Sequence, residues 1–310
     1  MTLLTTDAAM YALAPEWAEL WSRTNATPFQ HPAWLLPWWS AFGTGLQRVA
    51  ILRDGDRLIG VLPLYERLDE AKLFPMGAGI TDYQDVLLDP LAPPDAAEML
   101  LATALRDTAL PAHLIDLPPW SPLRDCGTDR NSTLSPADPC PVLDPTRISA
   151  RQLRKLRMSR DRANRAGGAT IQIATPATAV RMFADLSDLY ALRWRERGEG
   201  GVLADPAVAA FHAAALPGLM AAGLLWLCAL SLNGRVAAVI YALCDRDRIL
   251  FHLSGQDELR AFESPGTLLL GWMLEHAGGR EAHFLRGAEA YKYAWGAIDT
   301  FNAQRVLTRP

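Results

Sequence analysis

Leu224-Leu225-Trp226-Leu227-Cys228-Ala229-Leu230-Ser231-Leu232, then Asn233-Gly234, then Arg235-Val236-Ala237-Ala238-Val239-Ile240-Tyr241-Ala242-Leu243 reads as two apolar strands joined by a two-residue turn. Asn-Gly accepts the positive φ angles of a tight hairpin turn, so the pairing of these strands is antiparallel. The pattern also stands earlier in the chain. Val49 to Leu52 predicts a strand, Asp54-Gly55 a turn, and Arg57 to Tyr65 the returning strand. Arg57-Leu58-Ile59-Gly60-Val61-Leu62 aligns with Arg235-Val236-Ala237-Ala238-Val239-Ile240. A second correspondence follows each hairpin. A helix predicted over Pro94 to Leu110 leads to Ala112-His113-Leu114-Ile115-Asp116, and a helix over Ser264 to Ala277 leads to Ala282-His283-Phe284-Leu285-Arg286. Each half thus reads hairpin, strand, helix, strand, the order of a duplicated α/β unit.

The 310 residues suit two domains. Half the residues are hydrophobic and 21% charged, a globular balance that excludes disordered, collagen-like and coiled-coil classes. The net charge of −4 gives no global attraction to nucleic acid or anionic membrane, so any such binding must come from a local patch. Prolines 118, 119, 122, 136, 139, 141 and 145 crowd one region, which predicts a linker over 118–147 between domains at 1–117 and 148–310. Cys126, Cys140, Cys228 and Cys244 form no C-x-x-C and no zinc-finger spacing, which points to reduced thiols and no structural zinc. Met1 to Trp17 lacks a basic segment ahead of its apolar residues, so no secretory signal is expected and the protein is expected in the cytoplasm. Pro206 to Gly234 holds no charged residue, yet Pro217-Gly218, Gly223 and Asn233-Gly234 break it, so no membrane span is expected.

Chemistry concentrates in the second half. Ser264-Pro265-Gly266-Thr267 opens a helix with Ser as N-cap and Pro at the first turn, and Gly266 lets an anion approach backbone N–H groups at the positive end of the helix. The strand ending at Arg286 runs into Gly287-Ala288-Glu289-Ala290-Tyr291-Lys292-Tyr293-Ala294-Trp295-Gly296, ionisable and aromatic groups packed just beyond a strand end. Ligands of open α/β sheets bind in such places. Tyr291 or Tyr293 can give a proton to a leaving group, Lys292 can pair an anion, and Glu289 can take a proton from a nucleophile. The same residues also read as a short helix closing the core.

The run Phe284 to Gly296 resembles the C-terminal signature of the cellulose-biosynthesis-associated acetyltransferases of the CelD/BcsL type, a GNAT family related to the FemAB-like tandem enzymes. Thr81-Asp82-Tyr83-Gln84-Asp85, the basic helix from Ala150, Leu192-Arg193-Trp194-Arg195-Glu196-Arg197-Gly198 and Ser264-Pro265-Gly266-Thr267 fit the same family. The resemblance implies two tandem GNAT-like domains, each a mixed, mostly antiparallel sheet flanked by helices, with acetyl-CoA or another acyl-CoA as donor in the second and no metal. It implies that 248–254, with Leu253 and Ser254, cradles the acyl-pantetheine, that Ser264, Gly266 and Thr267 meet the pyrophosphate beside Lys292, and that Tyr291 or Tyr293 protonates the departing thiolate. His252 lies on that strand as a candidate base. The family's Q/R-x-x-G-x-G/A loop is reduced here to Glu263-Ser264-Pro265-Gly266-Thr267-Leu268, with one glycine. The first half opens its helix on Pro93-Pro94-Asp95, an acidic start that disfavours an anion.

Three further groups are candidates. Asp82 and Asp85 flank Tyr83 in a glycine-containing loop; they can bind an amine, act as base or cap a turn, and the acceptor is expected near Asp82, Tyr83, Arg193 and Trp194. Arg193 and Arg197, four apart beside Trp194, can clamp an acidic acceptor. Arg151 to Arg165 carries seven basic residues against Asp161, a solvated helix face or a seat for nucleotide phosphates. The six histidines show no metal-ligand spacing. The expected reaction is direct acyl transfer from acyl-CoA to an amine or hydroxyl of a small-molecule or saccharide-type acceptor. The alternatives are a FemAB-like aminoacyl-tRNA-dependent transferase, the one reading that brings in nucleic acid, and a non-catalytic GNAT-like binding protein. The oligomeric state is not legible.

Overall fold

The structure is a computed structural model that describes residues 1–196 and 201–310, with the side chains of 193–196 outside the description. The chain divides into two compact units, Met1–Pro139 with Thr300–Pro310, and Cys140–Asp299.

The first unit holds β1 (Thr2–Leu4), α1 (Asp7–Ala12), α2 (Ala14–Ser22), α3 (Pro32–Phe42), β2 (Leu46–Asp54), β3 (Arg57–Arg67), β4 (Lys72–Pro75), β5 (Leu87–Leu88), α4 (Ala96–Ala104) and β6 (Ala112–Leu117). Strand β7 (Asn131–Leu143) runs from this unit into the second, which adds α5 (Ala150–Arg165), β8 (Ala169–Ile173), α6 (Ala179–Glu196), α7 (Pro206–Ala221), β9 (Leu225–Leu232), β10 (Arg235–Cys244), β11 (Arg248–Gln256), α8 (Pro265–Glu275), β12 (Glu281–His283) and α9 (Ala290–Trp295). Strand β13 (Ile298–Thr308) carries the chain back to the first unit.

Both hairpins form where the turn residues place them. Asn233 and Gly234 both take positive φ, 52° and 74°, and Leu232 pairs with Arg235. In the first unit the turn is one residue later than Asp54-Gly55: Asp54 pairs with Arg57 around Gly55-Asp56, with Gly55 at φ 56°. In each unit a strand follows the hairpin, then a helix, then a strand parallel to the previous one: β4 and β6 in the first, β11 and β12 in the second. The duplicated order is therefore real in three dimensions. Each unit is a mixed, mostly antiparallel sheet flanked by helices, as the resemblance implies.

The domain limits differ from 1–117, 118–147 and 148–310. The proline-rich stretch contains the whole of a 13-residue strand rather than a linker; a strand accepts proline wherever the lost N–H faces no partner. Residues after Thr300 belong to the first unit because β13 pairs antiparallel with β6, Ala303 opposite Leu117 and Leu307 opposite Ala112. Leu307 joins a core of Leu52, Leu64, Leu100, Leu101 and Leu114. Buried Arg305 donates to the carbonyls of Leu123 and Cys126. The helix expected over 94–110 is only Ala96–Ala104, and Asp107 takes a left-handed conformation beyond it.

In the second unit, α8 packs Leu269, Leu270, Met273 and Leu274 with Ile240, Ala242 and Ile249 of the sheet and Leu156 of α5. Ser149 caps α5 through the Gln152 N–H. The uncharged stretch from Pro206 becomes a 16-residue helix followed by a strand. No helix among the described residues is long and apolar enough to cross a membrane. All four cysteines are free.

Candidate functional site

Strand β11 decides the geometry of the second unit. Its pairing with β12 covers only Arg248, Ile249 and Leu250, whereas its pairing with β10 continues to Gln256. Beyond Leu250 the edge facing away from β10 has no strand partner among the described residues, and the sheet opens there. Phe251 of β11 stacks on Phe284 at 5.5 Å, and Phe284 meets the edge of Tyr291 at 6.0 Å. An aromatic floor therefore lies at the parting of the strands.

His252 sits at a bulge. Tyr241 pairs with Leu253 and Ala242 with Phe251, so His252 is the extra residue of β11. Bulges re-aim side chains. The His252 ring lies 5.3 Å from that of His212 on α7 and 5.9 Å from that of Tyr241 on β10. Burial holds the His212 imidazole well below its usual range, and so uncharged, with the neighbouring His252 acting in the same direction. Burial raises the Tyr241 phenol, whose hydroxyl has no hydrogen-bond partner among the described residues. Sequence reasoning singled out His252 and missed His212 and Tyr241. The available signal was a histidine standing alone among Ala, Leu and Phe in the uncharged stretch.

The start of α8 departs from the expected cap. Ser264 takes φ 54°, caps nothing, and donates its hydroxyl to the Ala261 carbonyl at 3.1 Å. Pro265 has no N–H, and the Gly266 N–H donates to Gln256 Oε1 at 3.2 Å. Leu268 begins the helical ladder on Ser264. The Thr267 N–H is left without a partner among the described residues. A side chain on Gly266 would collide with Gln256 Oε1.

Lys292 does not face an anion. It is 2% exposed, donates to the carbonyls of Leu285, Arg286 and Gly287 at 3.1, 2.8 and 3.0 Å, and pairs with Glu289 at 2.8 Å. An ammonium has three protons, and four acceptors already surround this one. Lys292 and Glu289 therefore hold the turn ahead of α9, where Leu285 and Gly287 both have positive φ, instead of binding phosphate and serving as base. Of the two tyrosines, Tyr293 donates to Asp299 at 2.8 Å, and that bond raises its pKa. Tyr291 is 45% exposed beside Phe284. Leu253 pairs with Tyr241 and Ser254 with Ile240, on the side of β11 that faces β10.

The candidates of the first unit are mostly buried structure. Tyr83 is fully buried against Phe29 and Trp120, and its carbonyl accepts from Gln30, so it is core and not an acceptor contact. Asp82 is buried, and its carbonyl accepts from Asn302 at 2.6 Å. Asp85 accepts from Ser121 at 2.7 Å and from the Val86 N–H, and burial raises its pKa to about 7. Arg193 and Trp194 lie on α6 with side chains outside the description, and Arg197 lies outside the described residues. Among the described residues no His, Cys, Asp and Glu side chains gather to hold a metal ion.

The segment that carries this strand and helix is similar in sequence to a known family. Residues 150–293 match the acetyltransferase (GNAT) domain family. The protein is a transferase. No curated protein sequence matches the chain. Among solved structures, FemX is similar at 11% identity, covering 98% of this chain and 97% of that one with a TM-score of 0.63. The L-PGS from Bacillus licheniformis is similar at 12% identity over 85% of this chain and 84% of that one, TM-score 0.58. A GNAT-family acetyltransferase from Colwellia psychrerythraea is similar at 10% identity over 100% of both chains, TM-score 0.50. These likenesses concern the fold of the GNAT domain and its partner unit.

Proposed function

We propose that the second unit transfers an acyl group, in the simplest case acetyl, from acyl-CoA to an amine or hydroxyl of a small-molecule or saccharide-type acceptor. The observation that carries this reading is the parting of β11 from β12 after Leu250, with His252 bulged at that point. The edge of β11 that β12 leaves beyond Leu250 binds the pantetheine arm as an added strand would. The thioester carbonyl then lies near the bulge, and a backbone N–H of β11 stabilises its developing oxyanion.

His252 accepts the proton of the attacking amine or hydroxyl as the new C–N or C–O bond forms. The tetrahedral intermediate collapses, the C–S bond breaks, and Tyr291 gives its proton to the thiolate. Tyr291 is given this role because its ring stands against Phe284 at the parting of the strands, whereas the Tyr293 hydroxyl donates to Asp299. The pyrophosphate meets Gly266 and Thr267 once the Gln256 side chain swings aside. The finer kinship with the CelD/BcsL type rests on the run Phe284 to Gly296, and a cytoplasmic location fits acyl-CoA use and four free cysteines.

Thiol release from acetyl-CoA across a panel of amines, amino sugars and polyols tests the reading. With an accepted substrate, His252→Ala and Tyr291→Phe each lower kcat by roughly 10²–10⁴-fold, the range of general acid–base catalysis. Full turnover in both variants contradicts the assigned roles. The rival reading, aminoacyl transfer from tRNA, draws on the FemX likeness in fold and on the basic face of α5, and predicts turnover with aminoacyl-tRNA in place of acyl-CoA.

A further inference from the structure

Helix α5 carries Arg151, Arg154, Lys155, Arg157, Arg160, Arg162 and Arg165 against one acid, Asp161, in a chain whose net charge is −4. Its other side is fixed: Gln152, Leu156, Ser159 and Ala163 are buried, and Gly271 of α8 leaves the room Leu156 occupies, since a Cβ there would lie 2.6 Å from it. Arg160 pairs with Glu275. Arg151, Arg154, Lys155, Arg157 and Arg165 are exposed and have no ion-pair partner among the described residues. Arg154, Met158, Arg162 and Arg165 succeed one another at helical spacing and make one outward stripe.

The stripe runs into an apolar edge. Arg162 donates to the Phe262 carbonyl at 3.0 Å and its guanidinium lies 4.5 Å over the Phe262 ring. Phe262 is 65% exposed, Leu259 on the same loop is 92% exposed, and Met158 on the stripe is 54% exposed. Beside the loop a groove of about 460 Å³ carries Arg235 and Arg260 on its walls. The acids of this surface are Asp161 on α5 and Asp257, Glu258 and Glu263 on the loop. Asp257 caps the Leu259 N–H, Glu258 accepts from Gln256, Glu263 pairs with Arg260 and Glu275 with Arg160; the seven basic residues of α5 with Arg235 and Arg260 outnumber these acids and Asp161, so the surface keeps a surplus of positive charge.

We propose that α5 and the loop 257–263 dock the protein on an anionic lipid bilayer. The cations meet headgroup phosphates, and Leu259, Phe262 and Met158 enter the boundary with the acyl chains, the division of labour of interfacial surfaces. A single-stranded RNA would satisfy the same cations. It would leave Leu259, which has no ring for a base to stack on, in water, and for that reason the lipid surface is the better fit.

Co-sedimentation with vesicles of phosphatidylcholine alone and of phosphatidylcholine with phosphatidylglycerol decides it. The full chain binds the mixed vesicles, not the neutral ones, and binding falls with salt. Arg154→Gln with Lys155→Gln lowers partitioning about 25-fold, at roughly five-fold per charge near an anionic leaflet. Leu259→Ser with Phe262→Ser lowers it roughly ten-fold through lost apolar burial. All four positions are exposed or loop positions, and unchanged Tm in both double variants confirms an intact fold. No binding to the mixed vesicles, binding indifferent to Leu259→Ser with Phe262→Ser, or full displacement of the vesicles by single-stranded RNA overturns the proposal.

Discussion

The side-chain oxygen of Gln256 accepts the Gly266 N–H at 3.2 Å and so ties the last residue of β11 to the first turn of α8. A neutral amide oxygen occupies the donor that a pyrophosphate needs. Acyl-CoA must therefore displace Gln256 before its phosphates reach α8. Gln256→Ala removes that competitor, and acetyl-CoA is expected to bind roughly two- to ten-fold more tightly, the worth of one hydrogen bond. Titration calorimetry reads the change; weaker binding in the variant would show that Gln256 itself contacts the ligand.

Lys292 predicts a stability effect rather than an affinity effect. Lys292→Met strands three carbonyls and the Glu289 carboxylate around an apolar side chain. A buried acceptor left without its donor costs about 1–3 kcal/mol, while the half-exposed Glu289 carboxylate returns to water, and a fall in Tm with acyl-CoA affinity retained is expected. A stable variant that has lost acyl-CoA binding would instead return Lys292 to the pyrophosphate.

These two positions show where sequence reading ends. The Asn233-Gly234 hairpin was legible because its requirement, two successive positive φ angles, is met by the two residues themselves. The order hairpin, strand, helix, strand was legible because it repeats. The home of β13 was not: which strand a terminal strand pairs with depends on Ala303 and Leu307 finding Leu117 and Ala112 some 190 residues back. Lys292 and Glu289 carry the chemistry of an anion site or of a buried pair equally well, and only the three carbonyls of the preceding turn decide between them. Tyr83 was misread for the same reason, since an aromatic residue between two aspartates gives no sign of whether it points inward.

The placement of β13 is itself testable. Leu307→Ala opens a cavity in the first unit and is expected to cost about 2–5 kcal/mol. Hydrogen exchange should accelerate in β2, β3 and β6 while the amides of β9, β10 and β11 keep their protection. Accelerated exchange confined to the second unit would assign the strand there.

Asp85 gives a pH signature. Burial raises its folded pKa to about 7 from the ordinary 3.8, so the folded state holds this proton more tightly than the unfolded one. The associated stability is fully present below about pH 4 and is lost as pH rises through 7. His31, lowered to about 4 by burial, acts in the opposite sense, since its contribution is lost as pH falls. The difference between the wild type and Asp85→Asn cancels the His31 part. Relative to wild type, Asp85→Asn is expected to gain stability from pH 5 to pH 8; equal Tm–pH profiles would show that Asp85 ionises freely in the fold.

The most direct test is a thermal-shift series with free CoA, acetyl-CoA and longer acyl-CoAs on the wild type and on Gly266→Glu. A ligand at 100 times its Kd adds about 2.7 kcal/mol to stability. The wild type should rise by roughly 5 °C or more, and Gly266→Glu, which sets a carboxylate where the pyrophosphate must lie, should not respond. A wild type indifferent to every CoA species, or a Gly266→Glu variant that responds as fully as the wild type, would contradict acyl-CoA binding at the parting of β11 and β12.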